Sequence, residues 1–310
     1  MNNLPLELLQ YIFDYLNFKD QINFKMFCNT FLYNGLRIYN LYDIPYKYKK
    51  KLNDDILINY PYVKYLDASH NSNITNINYM NNLVKLNASS DCRISDEDIK
   101  NLNLIELYVQ NNPKIRNINH MTNLKILNAG HARCGINDNG IKDLNLIELN
   151  CYRNKKITNL NHMTKLQKLI VPFGSGLNNK GIKNLDLIEL HMQGNKKITN
   201  LNHMTNLQIL DAGCYSNLKN EGIKNLNLIK LKMDENYHIT NLNHMTKLKT
   251  LEASLSNLND EGIKNLNLIK LYIEFGSKIK NKKNIKLARI SSKKRNYKIH
   301  WRINNYKYTK

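Results

Sequence analysis

A segment beginning L-x-x-L-x-(A/V/M/C/I) starts at Val63, Leu83, Leu104, Leu124, Leu146, Leu166, Leu187, Leu207, Leu228, Leu248 and Leu268, giving eleven units of about 20 to 22 residues. A repeat this short cannot hide its own leucines. Each unit must bury them against its neighbours, so the chain is predicted to wind into a solenoid that is stable collectively and needs caps at both ends.

The units alternate in two forms. One ends in text such as Asn259-Asp260-Glu261-Gly262-Ile263-Lys264-Asn265-Leu266, whose polar start and spaced apolar pair predict a short convex helix. The other ends in Thr240-Asn241-Leu242-Asn243-His244-Met245-Thr246, which predicts a tighter 3₁₀ or irregular turn. Asn71, Asn112, Asn154, Asn195 and Asn236 each stand five positions after the second strand leucine, where an amide can satisfy backbone groups in the turn. Asp91, Ala132, Gly174, Tyr215 and Ser256 hold that place in the alternate units, so those turns need another anchor.

The pattern resembles leucine-rich repeats, most closely at Leu107-Tyr108-Val109-Gln110-Asn111-Asn112 and Leu149-Asn150-Cys151-Tyr152-Arg153-Asn154. The resemblance covers 63 to 284. It implies an α/β fold, a curved solenoid with a parallel concave sheet.

Composition narrows the function. Thirteen of the 46 Lys and Arg lie between Lys278 and Lys310, which holds no Asp or Glu, so the net charge of +21 divides into +13 for the tail and +8 for the rest. With 54 Asn and frequent Lys, Ile and Tyr, the sequence has the bias of an A/T-rich coding source, so charge alone is weak evidence for nucleic acid. No apolar run approaches the roughly 20 residues that span a bilayer, and the first residues lack a targeting pattern. The expected setting is intracellular, cytoplasm or nucleus, with no membrane partner. Five dispersed cysteines without a C-x-x-C read as reduced thiols.

Three ladders invite chemical readings. His120, His162, His203 and His244 recur once per pair of units, about 10 Å apart, whereas imidazoles sharing a zinc ion need nitrogens within about 3.5 Å. They are read as scaffold, and no metal or other cofactor is expected. Lys100, Lys142, Lys183, Lys224 and Lys264 form a convex stripe, more simply solvated than a polyanion track. Glu106, Glu148 and Glu189 line one strand position with Lys85 and Lys168 interleaved, an arrangement suited to mutual neutralisation. No G-x-S-x-G, P-loop, H-E-x-x-H or dinucleotide turn is present, and Cys92 and Cys134 lack the surroundings of an activated thiol, so no catalytic residue is assigned.

The outward strand positions vary between units while the convex text is nearly copied. They and the adjoining turns carry Tyr65, His70, Tyr108, His131, Tyr152, Arg153, Phe173, His191, Tyr272 and Phe275, residue types that anchor protein interfaces, and these are the candidate target contacts. The alternative is that several only cover strand edges. Asp211, Asp234, Glu235, Glu252 and Glu274 favour a target segment of basic character.

The first 45 residues are different. Leu8, Leu9, Ile12, Phe13 and Leu16 fall on one helical face, Pro5 suits a first turn, and Asp20 can cap a second helix carrying Ile22, Phe24 and Phe27. So short a block must dock elsewhere to bury that surface. The pattern L-P-x-E-L-L-x-x-I-F-x-x-L-x-x-x-D resembles an F-box, and an F-box before such repeats resembles the substrate receptors of SCF-type ubiquitin ligases. The resemblance implies a Skp1-like adaptor, joined through it to a cullin and a RING protein, with the repeats holding a protein target. Leu4, Pro5, Leu8, Ile12 and Leu16 match the apolar adaptor-contacting set, and Glu7 and Asp20 its acidic positions. Gln21 departs from the usual leucine, and Tyr39 and Tyr42 lie where a tryptophan is often found. The Asn-rich wording is also similar to F-box repeat proteins of giant DNA viruses of amoebae.

The expected organisation is F-box 1–45, connector and cap 46–62, repeats 63–284, and basic cap or tail 285–310. Leu287–Ile290 and Tyr297–Ile303 predict a closing hairpin, and Lys293-Lys294-Arg295 is a weak nuclear or polyanion signal. Two other functions stay open: an interaction scaffold independent of ubiquitin, and nucleic-acid binding through the tail.

Overall fold

Each repeat contributes one short strand, because its L-x-L core sets two flanking side chains outward and one leucine inward. The computed structural model describes residues 6–27, 36–274, 277–281 and 287–291. Strand β1 is Asn40–Leu41, and one strand then falls in each unit: β2 Tyr65–Asp67, β3 Lys85–Asn87, β4 Glu106–Tyr108, β5 Ile126–Asn128, β6 Glu148–Asn150, β7 Lys168–Ile170, β8 Glu189–His191, β9 Ile209–Asp211, β10 Lys230–Lys232, β11 Thr250–Glu252 and β12 Lys270–Glu274. β13, Leu287–Ser291, lies at the far edge. Among the described residues these form one 13-stranded sheet in chain order. Every pairing is parallel, with leucine opposite leucine from Leu41 and Leu66 through Leu251 and Leu271.

Stacking in register gives the core its shape. In the β4 coil, Leu104, Leu107, Val109, Ile115, Ile118 and Met121 all point inside, and their counterparts continue as one cluster from Leu9 to Ile279.

The convex side departs from expectation. The Asn-Asp-Glu-Gly-Ile form makes its short convex helix as a single 3₁₀ turn, at Asp138–Ile141, Lys180–Ile182, Asn220–Gly222 and Glu261–Ile263, tighter than the contrast with the other form predicts. Backbone contact explains the tight turn. A Cβ on Gly140, Gly181, Gly222 or Gly262 would meet a carbonyl oxygen of the preceding coil at 1.9 to 2.1 Å, and each glycine carbonyl accepts a bond from that coil, as in Leu201 N to Gly222 O at 2.8 Å.

Helices α1 (Leu6–Tyr15) and α2 (Phe18–Phe27) precede the sheet, and α3 (Tyr46–Lys49) and α4 (Asp54–Leu57) form the coil between β1 and β2. Asn17 caps α2: its Oδ1 accepts from Asp20 N at 3.1 Å. Asp20, predicted as that cap, sits instead inside the first turn and accepts from the Asn17 amide at 2.5 Å. At the other end β13 runs parallel to β12. The second arm of the predicted hairpin, 297–303, lies outside the described residues.

Candidate functional site

Two surfaces carry the residues singled out in the sequence. The first is α1. Its apolar face, read from sequence as one stripe, is divided by the fold. Leu9 and Phe13 are 1% and 0% exposed in the common core, whereas Leu8 and Ile12 are 50% and 43% exposed. Leu16 is half-buried, and Glu7 and Asp20 are exposed. Leu4 and Pro5 lie outside the described residues. Gln10 fixes the helix to the segment entering β1 by a reciprocal pair, Oε1 accepting from Arg37 N at 2.7 Å and Nε2 donating to Arg37 O at 2.9 Å. Gln21, the departure from the family pattern, is buried. It donates from Nε2 to Phe13 O at 3.0 Å, a carbonyl at the end of α1 that also accepts from Leu16 N at 3.1 Å.

The second surface is the concave sheet and its rim. At the N-terminal end Tyr42 leans over the small Asp67 and Asn87 to reach Tyr108, ring centres 6.4 Å apart. The Lys85 ammonium lies 4.5 Å from the Tyr42 ring centre and 5.3 Å from that of Tyr108, and 3.0 Å from Glu106. Burial and the Glu106 carboxylate push the Tyr108 hydroxyl above its ordinary pKa. Tyr65 is exposed on β2. In the middle, Lys168 bridges Glu148 at 3.6 Å and Glu189 at 3.9 Å, so the predicted neutralisation across strands is observed.

His70, His131 and Arg153 occupy left-handed turn positions at φ 56, 75 and 54, just past the strands on the rim. His131 packs edge-on to Tyr152 at 5.4 Å, and the Arg153 guanidinium lies 5.1 Å from the Tyr152 ring centre. Phe173 lies against Gly194, which stands at φ 64 and has no room for a Cβ while the ring holds that place. His191 on β8 contacts Glu189 and lies 3.9 Å from Asp211. Burial lowers its basicity, but hydrogen bonds and charge from Asp211 and Glu189 carry its pKa above the ordinary value of 6.5. Tyr272 is half-buried on β12, and Phe275 lies outside the described residues.

The acidic set is largely engaged by its own chain. Asp211 accepts from Gly213 N and Gln193, Asp234 from Ser254 N at 2.6 Å, and Glu252 pairs with Lys232 at 3.1 Å. Glu235 and Glu274 are buried. Sequence reasoning missed the exposed aromatic pair on the rim, Tyr215 (53% exposed) and Tyr237, with rings 5.9 Å apart. For Tyr215 the signal is the variable turn position itself, which carries an exposed ring in place of an anchoring amide.

The ladders behave as scaffold. His120, His162, His203 and His244 each place Nε2 3.0 to 3.1 Å from an isoleucine carbonyl of the preceding coil. Lys100, Lys224 and Lys264 pair with Glu97, Glu221 and Glu261 three residues earlier. Burial pushes the Cys92 and Cys134 thiols up to about 11 and Cys151 to about 12, opposite to what an activated thiol needs. No group of three His, Cys, Asp or Glu among the described residues could hold a metal ion. No helix among the described residues is long and apolar enough to cross a membrane.

The F-box domain family model matches residues 1–33. The chain carries an N-terminal F-box domain followed by a parallel β-solenoid of leucine-rich-repeat type. Among solved structures, an internalin (InlF) from Listeria monocytogenes is similar at 17% identity over 78% of this chain and 71% of its own, with a TM-score of 0.44. The yeast Rad7 and Elc1 complex structure is similar at 14% identity over 91% and 90%, with a TM-score of 0.33. A TLR13 structure with ssRNA13 matches at 19% identity over 74% of this chain, with a TM-score of 0.46, and the chain spans 47% of it. No curated protein sequence matches this one.

Proposed function

We propose that the protein is a non-enzymatic substrate-recognition adaptor of an SCF-type ubiquitin ligase, acting inside the cell. The F-box at 1–45 docks on a Skp1-like adaptor, which links it to a cullin and a RING protein, while the solenoid at 63–284 holds a protein target. The connector at 46–62 and the basic segment at 285–310 close its ends. Ubiquitin transfer is then accelerated because the target is held beside the charged carrier, an effect of proximity that asks no chemistry of this chain.

One observation carries this reading. Leu8 and Ile12 stand exposed on a helix whose Leu9 and Phe13 are fully committed to the core, within the residues matched as an F-box. A helix so anchored offers a rigid apolar ridge, with Glu7 and Asp20 exposed nearby. On the solenoid the target contacts are Tyr65, His70, Tyr108, His131, Tyr152, Arg153, Phe173, His191 and Tyr272, with Phe275.

The experiment is co-purification with a Skp1-like protein. Leu8→Asp and Ile12→Asp alter exposed positions, so each variant stays folded and loses the complex. Retention of the complex by both would discard the adaptor assignment.

A further inference from the structure

We infer that one flank of the solenoid, where the chain leaves the strands, docks an extended acidic segment of protein. The inference rests on the reading of the solenoid as a grip for a protein target and names part of that target's chemistry.

Cations lie on all sides of the coils, and the flank is set apart by holding its cations in one row of neighbouring turns. On the concave face Lys85, Lys168 and Lys232 are each paired with a glutamate. On the convex face Lys100, Lys224 and Lys264 are likewise paired, while Lys142 and Lys183 of the same column are exposed and enter no ion pair among the described residues. On the flank, Arg93, Lys114, Arg153, Lys155, Lys196 and Lys197 are exposed, and no ion pair among the described residues includes any of them. Arg133 is the flank's exception, 3.8 Å from Asp91.

These six occupy equivalent turns of coils stacked edge on edge, as Gly135 N to Asn112 O at 2.8 Å, Gly176 N to Asn154 O at 3.0 Å and Asn217 Nδ2 to Lys196 O at 3.2 Å show. From the β3 coil to the β8 coil they cover five strand spacings, about 24 Å, the length of about seven extended residues. Like charges held in such a row repel one another, and a line of carboxylates laid beside them removes that repulsion and gains attraction.

An acidic peptide fits better than a single-stranded nucleic acid. Nucleic acids of that kind need free aromatic faces interleaved with the cations, so that bases can stack. Here the rings among the cations are already used: His131 packs on Tyr152, Arg153 lies over Tyr152, and Phe173 covers Gly194. The exposed pair Tyr215 and Tyr237 begins in later coils, past the cations, where it suits an apolar residue following the acidic run.

The test uses the full chain and a fluorescent peptide of about ten residues, rich in Asp and Glu, followed by fluorescence anisotropy. Binding is expected, with affinity falling at least about fivefold between roughly 50 and 300 mM salt. The variant K155E/K196E/K197E should bind at least about tenfold more weakly, its glutamine counterpart less so, and the convex variant K100E/K224E no differently from the native chain. Circular dichroism checks that all are folded. No binding by the native chain, or equal binding by K155E/K196E/K197E, overturns the inference. So does an oligouridylate that displaces the peptide more readily than the unlabelled peptide does, which would assign the flank to nucleic acid. Capture of a Skp1-like protein is read separately on each variant, because it depends on α1 and not on the flank. Loss of peptide binding with capture intact defeats only this inference; loss of capture with peptide binding intact defeats only the ligase reading.

Discussion

The two kinds of coil share one strand geometry but hold their turns by different chemistry. In the β2, β4, β6, β8 and β10 coils a buried asparagine does the work. Asn154, for instance, donates to Ala129 O at 2.9 Å and Ile136 O at 3.1 Å, and accepts from Lys156 N at 2.9 Å. In the β3, β7 and β9 coils a smaller group, Cys92, Ser175 or Ser216, stands one residue later. Cys92 Sγ donates to Ala88 O at 3.1 Å and Ser216 Oγ to Ala212 O at 2.6 Å, while in the β11 coil Ser256 Oγ reaches Ala253 O at 2.9 Å without the shift. The two systems meet, since Asn236 Nδ2 also reaches Ser216 Oγ at 3.1 Å and Asn112 Nδ2 reaches Cys92 Sγ at 3.4 Å. An amide joins two coils, whereas a hydroxyl or thiol mainly ties a turn to its own coil.

That difference sets the order of mutational costs. Asn154→Ala leaves two buried carbonyls and one N–H without their partner, at about 1 to 3 kcal/mol for each orphan, so a total loss of about 3 to 5 kcal/mol is expected. Denaturant unfolding measures it, and a loss below about 1 kcal/mol would show that the amide is dispensable. Gly222→Ala comes next. Its Cβ would stand 2.1 Å from Thr199 O, a backbone atom that can yield only by moving a whole coil, so about 2 to 3 kcal/mol should be lost. Ser216→Ala removes the bond to Ala212 O and one acceptor of Asn236 Nδ2, which keeps Ala212 O and Leu218 O, so it costs about 1 kcal/mol, while Ser216→Cys restores a group of the kind Cys92 provides and costs less. A Ser216→Ala cost equal to that of Asn154→Ala would break the comparison.

How much of this was legible follows from what each feature depends on. The leucines, the strand register and the asparagine column recur at fixed offsets, so one chain carries enough copies to reveal them. The alternate anchors escaped because Cys92 and Ser216 stand six positions after the second strand leucine, one further than the asparagines. An offset-of-five search therefore lands on Asp91 and Tyr215 instead of Cys92 and Ser216. On α1 the periodicity places Leu8, Leu9, Ile12 and Phe13 on one side, but which pair faces the chain's own core depends on the distant segment entering β1, to which Gln10 is bonded at Arg37. The unpaired flank was hidden for another reason. In so basic a chain, Lys155 or Lys196 looks no different from Lys100 until its neighbours are placed.

His191 offers the subtlest test, because it joins the two kinds of coil across the concave face. It stands on β8, in an asparagine coil, and faces Glu189 on its own strand and Asp211 on β9, in the alternate kind. Lys168 lies 3.9 Å from Glu189, and Gln193 donates to Asp211, so both carboxylates are held in place. Burial works against the imidazolium, and the two acids outweigh it, leaving the folded pKa above 6.5. A raised folded pKa means that the folded chain holds the proton more tightly than the unfolded one. The stabilisation is therefore complete below 6.5 and is lost as pH rises through the folded value. Unfolding of the native chain and of His191→Gln at about pH 6 and pH 8 should show the larger gap at the lower pH. A gap that is unchanged, or that grows towards pH 8, would mean that the imidazole is not paired with these acids and that the coils are joined only by their backbone and leucines.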